Sequence, residues 1–240
     1  MPNLKLAQDL RETYGITSGG TIAKSFSAYQ TDSIANPRLS AAVLGAFERK
    51  QRSRVTLAFI DVTGFSVRTA ELSAEDIVQI LETYYETLIP MIYERGGEVE
   101  KVMGDGVIAV FGEPFIDSDG MREADRCCMK AIETFYGSDL EVKCAVHPGE
   151  VIYYPIGVDP YEEYTMIGPA MTELYRLESV CRKNAIGFYS GTPYDTMQMA
   201  DVEWSKDGDG PRAWVLSKGV AVNLPGVNRD EMRFLRYSRR

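Results

Sequence analysis

Positive charge, histidine and paired cysteines are all scarce in this chain of 240 residues. Lysine and arginine number 26 against 35 aspartates and glutamates, giving a net charge of −9. That balance, with a pI near 4.8, argues against a general nucleic-acid binder, which relies on a basic surface. There is one histidine, and Cys127, Cys128, Cys144 and Cys181 form no CxxC pair, so a zinc centre is not expected. The cysteines read as reduced, partly buried thiols. No apolar run reaches the roughly 18 residues of a membrane span. The first residues, MPNLKLAQDLRETYG, lack the basic and apolar regions of a signal peptide, so the sequence reads as cytoplasmic.

What is present fits a soluble globular protein, with a hydrophobic share of 45%. Residues 1–50 read as a short N-terminal helical extension and residues 51–240 as the main domain. Within the extension, Leu4, Ala7 and Leu10 recur at helical spacing, residues 39–52 form a second candidate helix, and 17–37 read as irregular. The main domain opens with a β-rich run at 55–61. Ser73 and Asp76 make a capping-box-like start to a helix whose inner face carries Ile77, Ile80, Leu81, Tyr84, Leu88, Met91 and Ile92. Pro90 is expected to kink or divide that helix, and Gly96-Gly97 to end it. Runs at 98–103 and 107–111 flank Gly104-Asp105-Gly106 as a hairpin. A second amphipathic helix follows, with Met121, Ala124, Cys128, Ala131, Ile132 and Phe135 inward. Strands are expected near 141–147, 150–154, 186–190, 214–222 and 231–237, with a helix near 169–183. The order β-α-β-β-α-β is an α+β, ferredoxin-like plan.

Two aspartates in glycine-bearing frames carry the chemistry. Asp61 lies in FIDVTGF and Asp105 in KVMGDG. Asp beside Gly is also a common turn element, so either frame alone fits a plain turn. In a split β-α-β-β plan, however, the end of the first strand and the hairpin are neighbours. Two carboxylates there can hold hard cations through oxygen, and two such cations can grip a triphosphate and activate a hydroxyl against it.

The motifs VTLAFIDVTGF, GGEVEKVMGDGVIAVFGEP, HPGEV and YTMIGPAMTELYRLES, in this order, resemble the class III nucleotidyl cyclase catalytic domain over about residues 53–237. The resemblance implies a homodimer with active sites at the interface. It implies that Asp61 and Asp105 bind two divalent cations, Mn²⁺ or Mg²⁺, with the Val62 carbonyl as a further ligand. Backbone N–H groups around Gly64 and Phe65 would cradle the phosphates of a nucleoside triphosphate. The partner chain would supply Lys101 and Thr165 to the base, Thr172 to the ribose and Arg176 to the developing charge. HPGEV matches a structural turn between strands, which leaves His147 outside the chemistry.

The sequence also departs from the family. The segment usually read as IGDAVN-x-A-x-R is here IGPAMTELYR, with Pro169 in place of Asp and Thr172 in place of Asn. A late phosphate-contacting lysine falls near Pro225, with Arg229 as the nearby cation. These departures, with the short extension, resemble the pyrimidine cyclases of bacterial Pycsar antiphage defence, which make cUMP or cCMP for a separately encoded effector. The function expected is cyclisation of a pyrimidine nucleoside triphosphate, UTP ahead of CTP, to the 3′,5′-cyclic monophosphate plus pyrophosphate. Lys101 with Thr165 also fits a stand-alone adenylate cyclase making cAMP from ATP. Pro169 and Thr172 would also fit a catalytically silent nucleotide-binding regulatory dimer.

Overall fold

The computed structural model describes residues 43, 45–116, 119–158, 161–205 and 214–237. The helix expected around Leu4, Ala7 and Leu10 and the irregular stretch at 17–37 lie outside them.

The sheet is organised around β1 (Arg52–Val62), whose residues from Val55 to Ile60 are buried on both faces apart from the pairing edges. Such a strand reads as a near-continuous apolar run rather than an alternating one. It pairs antiparallel with β3 (Gly106–Phe111) on one side and β4 (Val142–Val158) on the other. β2 (Glu98–Met103) closes the hairpin onto β3. Among the described residues the sheet order is β2-β3-β1-β4-β6-β9-β7. Here β6 is Ala185–Tyr189, β7 Trp214–Leu216 and β9 Glu231–Tyr237. β5 (Tyr161–Ile167) pairs with β4, and β8 (Val220–Ala221) with β9. The β2-β3-β1-β4 portion has the strand order of a split βαββαβ unit, as expected.

Helices cover both faces. α1 (Phe65–Arg68) is a single turn after β1. α2 (Ala74–Glu94) starts at Ser73, whose side chain accepts from the Asp76 amide, and ends at Arg95. There Gly96 and Gly97 donate to the Tyr93 and Ile92 carbonyls, a Schellman closure. α2 and α3 (Gly120–Phe135) cover the face bearing Ala58, Ile60 and Val62. α4 (Pro169–Glu178) covers the opposite face, bearing Leu57 and Phe59, through Ala170, Leu174 and Leu177. α5 (Pro193–Ser205) follows β6.

Several boundaries differ from the sequence reading. The candidate helix at 39–52 ends by Glu48, and Arg52 already belongs to β1. Ala46 and Phe47 are fully buried, and Phe47 packs edge-on against Tyr153 and Tyr164. Pro90 does not divide α2. The carbonyl that loses its amide partner belongs to Glu86, on the exposed side, where water can satisfy it. The strands expected at 141–147 and 150–154 are one strand, β4, running through His147-Pro148-Gly149. HPGEV is therefore no turn. Pro148 falls between the β4 residues paired to β6 and those paired to β5, where that edge has no strand partner among the described residues. Gly149 is needed because a Cβ there would lie 2.6 Å from the Ala170 Cβ, so it lets α4 settle on β4. β5 and α5 were not anticipated.

Candidate active site

The two aspartates meet where β1 ends beside the β2–β3 turn. Asp61 pairs with Gly106 across the β1–β3 ladder, one residue from Asp105. Gly106 is required there, since a Cβ would stand 2.6 Å from the Phe59 ring and 3.2 Å from Asp61 Oδ1. Gly104 takes the positive φ of 60° at the first position of the two-residue turn. α2 holds the end of β1 and the β2–β3 turn from beneath. Tyr84 donates to the Ile60 carbonyl at 3.2 Å, and Tyr85 donates to the Gly104 carbonyl. Each tyrosine thus fixes the residue immediately before one aspartate.

The electrostatics of the pair fit a cation. Burial and the neighbouring Asp105 raise the Asp61 pKa to about 6, against the pull of Lys143. Burial also raises Asp105, while hydrogen bonds from its own backbone and from Asp61 hold it back. Lys143, opposite Asp61 on β4, lies 3.4 Å from Asp61 and 2.6 Å from Glu178 of α4. Positive charge is therefore already drawn to this spot. In the turn that follows, Thr63 Oγ1 is buried without a hydrogen-bond partner. Gly64 stands in the left-handed region (φ 69°) before α1, and no side chain caps that turn. Arg68 donates to the Thr63 carbonyl at 2.9 Å. Two crowded carboxylates, an orphaned hydroxyl and uncapped amides suit a divalent cation with a phosphate. Among the described residues no third carboxylate, histidine or cysteine joins Asp61 and Asp105 as a ligand.

A second cluster surrounds Lys101 and Thr165. A β-bulge between Val99 and Lys101 makes Glu100 the extra residue of β2. It turns Lys101 to sit opposite Ile108, on the α4 face shared by Phe59 and Asp61. Without it, strict alternation would leave Lys101 on the α2 face with Val99. Lys101 Nζ lies 3.6 Å from Glu163, two residues before Thr165 on β5. Thr165 donates to Glu100 Oε1 at 3.1 Å. The structure thus brings Lys101 and Thr165 into one group.

Thr172 and Arg176 lie one turn apart on α4, both exposed, while Ala170, Leu174 and Leu177 face the core. Arg176 forms no side-chain ion pair among the described residues. Arg229 is held 3.6 Å from Glu173 of α4. His147 is buried, with Nε2 2.8 Å from Glu173 Oε2. The carboxylate would favour a charged ring, but burial and then Arg229 oppose it, and the pKa falls to about 4.

Sequence reasoning missed Tyr84, Tyr85, Glu100, Lys143, Glu163 and Glu178. The helical pattern puts Tyr84 in the core and assigns Tyr85 nothing; Glu100 and Glu178 lie inside the family motifs without a role there, and Lys143 and Glu163 lie outside them. The order β1–β4 brings Lys143 beside Asp61 from 82 positions later in the chain.

The family of adenylate and guanylate cyclase catalytic domains matches residues 47–209. The chain belongs to this family. Among curated relatives, the terminal-differentiation adenylate cyclase of Dictyostelium discoideum is 25% identical over 139 residues, 54% of this chain and 6% of that protein. Adenylate cyclase 1 of Rhizobium meliloti is 23% identical over 139 residues, 54% of this chain and 21% of that protein. The chain thus aligns with 6% and 21% of the length of these relatives. Solved cyclase structures share the fold. The adenylyl cyclase CyaB of P. aeruginosa superposes with a TM-score of 0.63 at 21% identity, covering 79% of this chain and 97% of its own. The guanylate cyclase domain from Catenaria anguillulae gives a TM-score of 0.60 at 18% identity, covering 78% and 97%. The α+β cyclase fold read from the sequence is the fold found. No described helix of this cyclase-family chain is long and apolar enough to cross a membrane.

Proposed function

We propose that the protein is a metal-dependent nucleotide cyclase that converts a pyrimidine nucleoside triphosphate, UTP ahead of CTP, to its 3′,5′-cyclic monophosphate and pyrophosphate. The observation that carries the cyclase reading is the meeting of Asp61 and Asp105, each preceded by a carbonyl that Tyr84 or Tyr85 holds, in a chain of the cyclase family. Asp61, Asp105 and the Val62 carbonyl would hold two divalent cations, Mn²⁺ or Mg²⁺. When bound, the cations acidify the ribose 3′-hydroxyl and neutralise charge on the triphosphate.

The chain's own residues do the rest by positioning and charge. The amides around Gly64 and Phe65 would cradle the phosphates, in a turn that no side chain caps. Arg176 spreads a planar guanidinium over the charge that develops as pyrophosphate leaves. Thr172, one turn earlier on the same exposed face, stands at the ribose position. Lys101 and Thr165 read the base. The exposed face of α4 fits the supply of Thr172 and Arg176 to a second copy's Asp61 and Asp105, so the working unit is a homodimer.

Pyrimidine selection is supported by the altered 167–176 segment and its likeness to Pycsar cyclases. That likeness also supports a second-messenger role in cytoplasmic antiphage defence, with a separately encoded effector. The second reading, an adenylate cyclase making cAMP, is favoured by the names of the relatives from D. discoideum and R. meliloti. Incubation with each of the four NTPs and Mn²⁺, with products resolved by mass spectrometry, tests both. The proposal expects cUMP as the main product. cAMP as the sole cyclic product would replace it with the second reading.

A further inference from the structure

We propose that Glu100 determines which base is accepted, by fixing Thr165 as a hydrogen-bond acceptor. The inference rests on the reading of Lys101 and Thr165 as the base-contacting pair. Glu100 itself is a positioning residue that does not touch the nucleotide.

Glu100 is 2% exposed, and it occupies the bulge that also turns Lys101 toward the site. Its Oε1 receives two hydrogen bonds from β5, one from the Met166 amide at 3.3 Å and one from the Thr165 hydroxyl at 3.1 Å. A backbone amide can only donate, so the Met166 N–H fixes this oxygen as an acceptor. The Thr165 hydroxyl, meeting the same oxygen, spends its single proton there. A hydroxyl has one proton and two lone pairs. Thr165 is left with lone pairs alone for a ligand. Lys101, held by Glu163 on the same strand, offers only N–H donors.

The two readers therefore ask for a fixed order along the base edge, an acceptor facing Lys101 and a donor facing Thr165. Keto and amino bases of the same size differ in that order. Uracil places a carbonyl beside N3–H, whereas cytosine places an amino group beside the bare N3. In the pose that sets uracil O4 on Lys101 and N3–H on Thr165, cytosine sets its amino group against Lys101 and bare N3 against Thr165, and a threonine free to rotate would repair the second contact by donating to N3. Bound to Glu100, it matches one order and leaves the other with an unpaired polar group. That mismatch is the strongest form of discrimination a small polar site can build. Stability alone gives little reason for a carboxylate here, since an apolar side chain of similar volume usually serves a core as well or better.

The experiment compares wild type, Glu100→Gln, Glu100→Met and Thr165→Ala. Two quantities are read: kcat/KM for UTP and CTP with Mn²⁺, and the affinities for 3′-deoxyUTP and 3′-deoxyCTP, which cannot cyclise. Glutamine keeps an acceptor oxygen, and the Met166 amide forces that oxygen to face β5, so Glu100→Gln should hold the wild-type UTP-to-CTP ratio within about twofold. Glu100→Met and Thr165→Ala should each bring that ratio toward unity by about tenfold. Thr165→Ala serves if Glu100→Met does not fold, as judged by thermal melting. Equal losses for both nucleotides with an unchanged ratio would overturn the proposal, as would a wild type that does not separate them. A wild type that binds the 3′-deoxynucleotides selectively but turns over no NTP would refute the cyclase reading and leave this inference standing.

Discussion

Tyr85 donates its hydroxyl to the carbonyl of Gly104, the residue immediately before Asp105. Its neighbour Tyr84 does the same for Ile60, before Asp61. One turn of α2 therefore sets the spacing of both carboxylates.

Tyr85→Phe should weaken Mn²⁺ binding about fivefold. The variant loses one hydrogen bond, worth about 1 kcal/mol, at the turn that aims Asp105. Calorimetric titration of wild type and variant with Mn²⁺ would show it. Equal affinities would mean that the turn holds its shape unaided.

The metal-free protein should lose stability as pH rises toward 6. Asp61 has a folded pKa of about 6, above its ordinary 3.8. Between those values the folded chain keeps a proton that the unfolded chain has released, so stability falls as pH rises through the window. Asp61→Asn should therefore raise the melting temperature at pH 7.5 and leave it nearly unchanged at pH 4. Stabilisation of wild type by Mn²⁺ should grow over the same interval.

His147 acts with the opposite sign. Its folded pKa of about 4 lies below the ordinary 6.5. As pH falls through this range the unfolded chain takes up a proton that the folded chain refuses, so stability is lost. His147→Gln should flatten that loss, by about 2–3 kcal/mol between pH 7 and pH 4. Urea unfolding at the two pH values measures it.

Gly106→Ala should lower both stability and activity. The added Cβ would press on the Phe59 ring and Asp61 Oδ1. Overpacking of this kind costs about 1–3 kcal/mol. A folded variant with unchanged metal affinity would show that the ring yields without moving Asp61.

Much of this was legible in the sequence because it depended on local patterns. β9 was placed to the residue, the Ser73 cap was read correctly, and the Gly104-Asp105 turn follows from turn chemistry. What was not legible depends on pairing between distant segments. β4 looked like two strands because Pro148-Gly149 is a turn signal in isolation. It is continuous because β1 pairs along both halves. Lys101 reaches the face of Phe59 and Asp61 through a bulge, and a single extra residue leaves no mark in the hydrophobic pattern. Glu100 and Lys143 look like surface charges until β5 and β1 are set beside them.

In the proposed homodimer, Asp61 and Asp105 of one chain act with Arg176 of the other. Mixing Asp61→Ala with Arg176→Ala tests it most directly. Each variant alone should be inactive, because each of its two sites lacks one essential group. Half the dimers formed on equal mixing would carry one intact site, so cyclic nucleotide production should recover to about a quarter of the wild-type rate per chain. No recovery, with heterodimers verified by native mass spectrometry, would contradict the shared site.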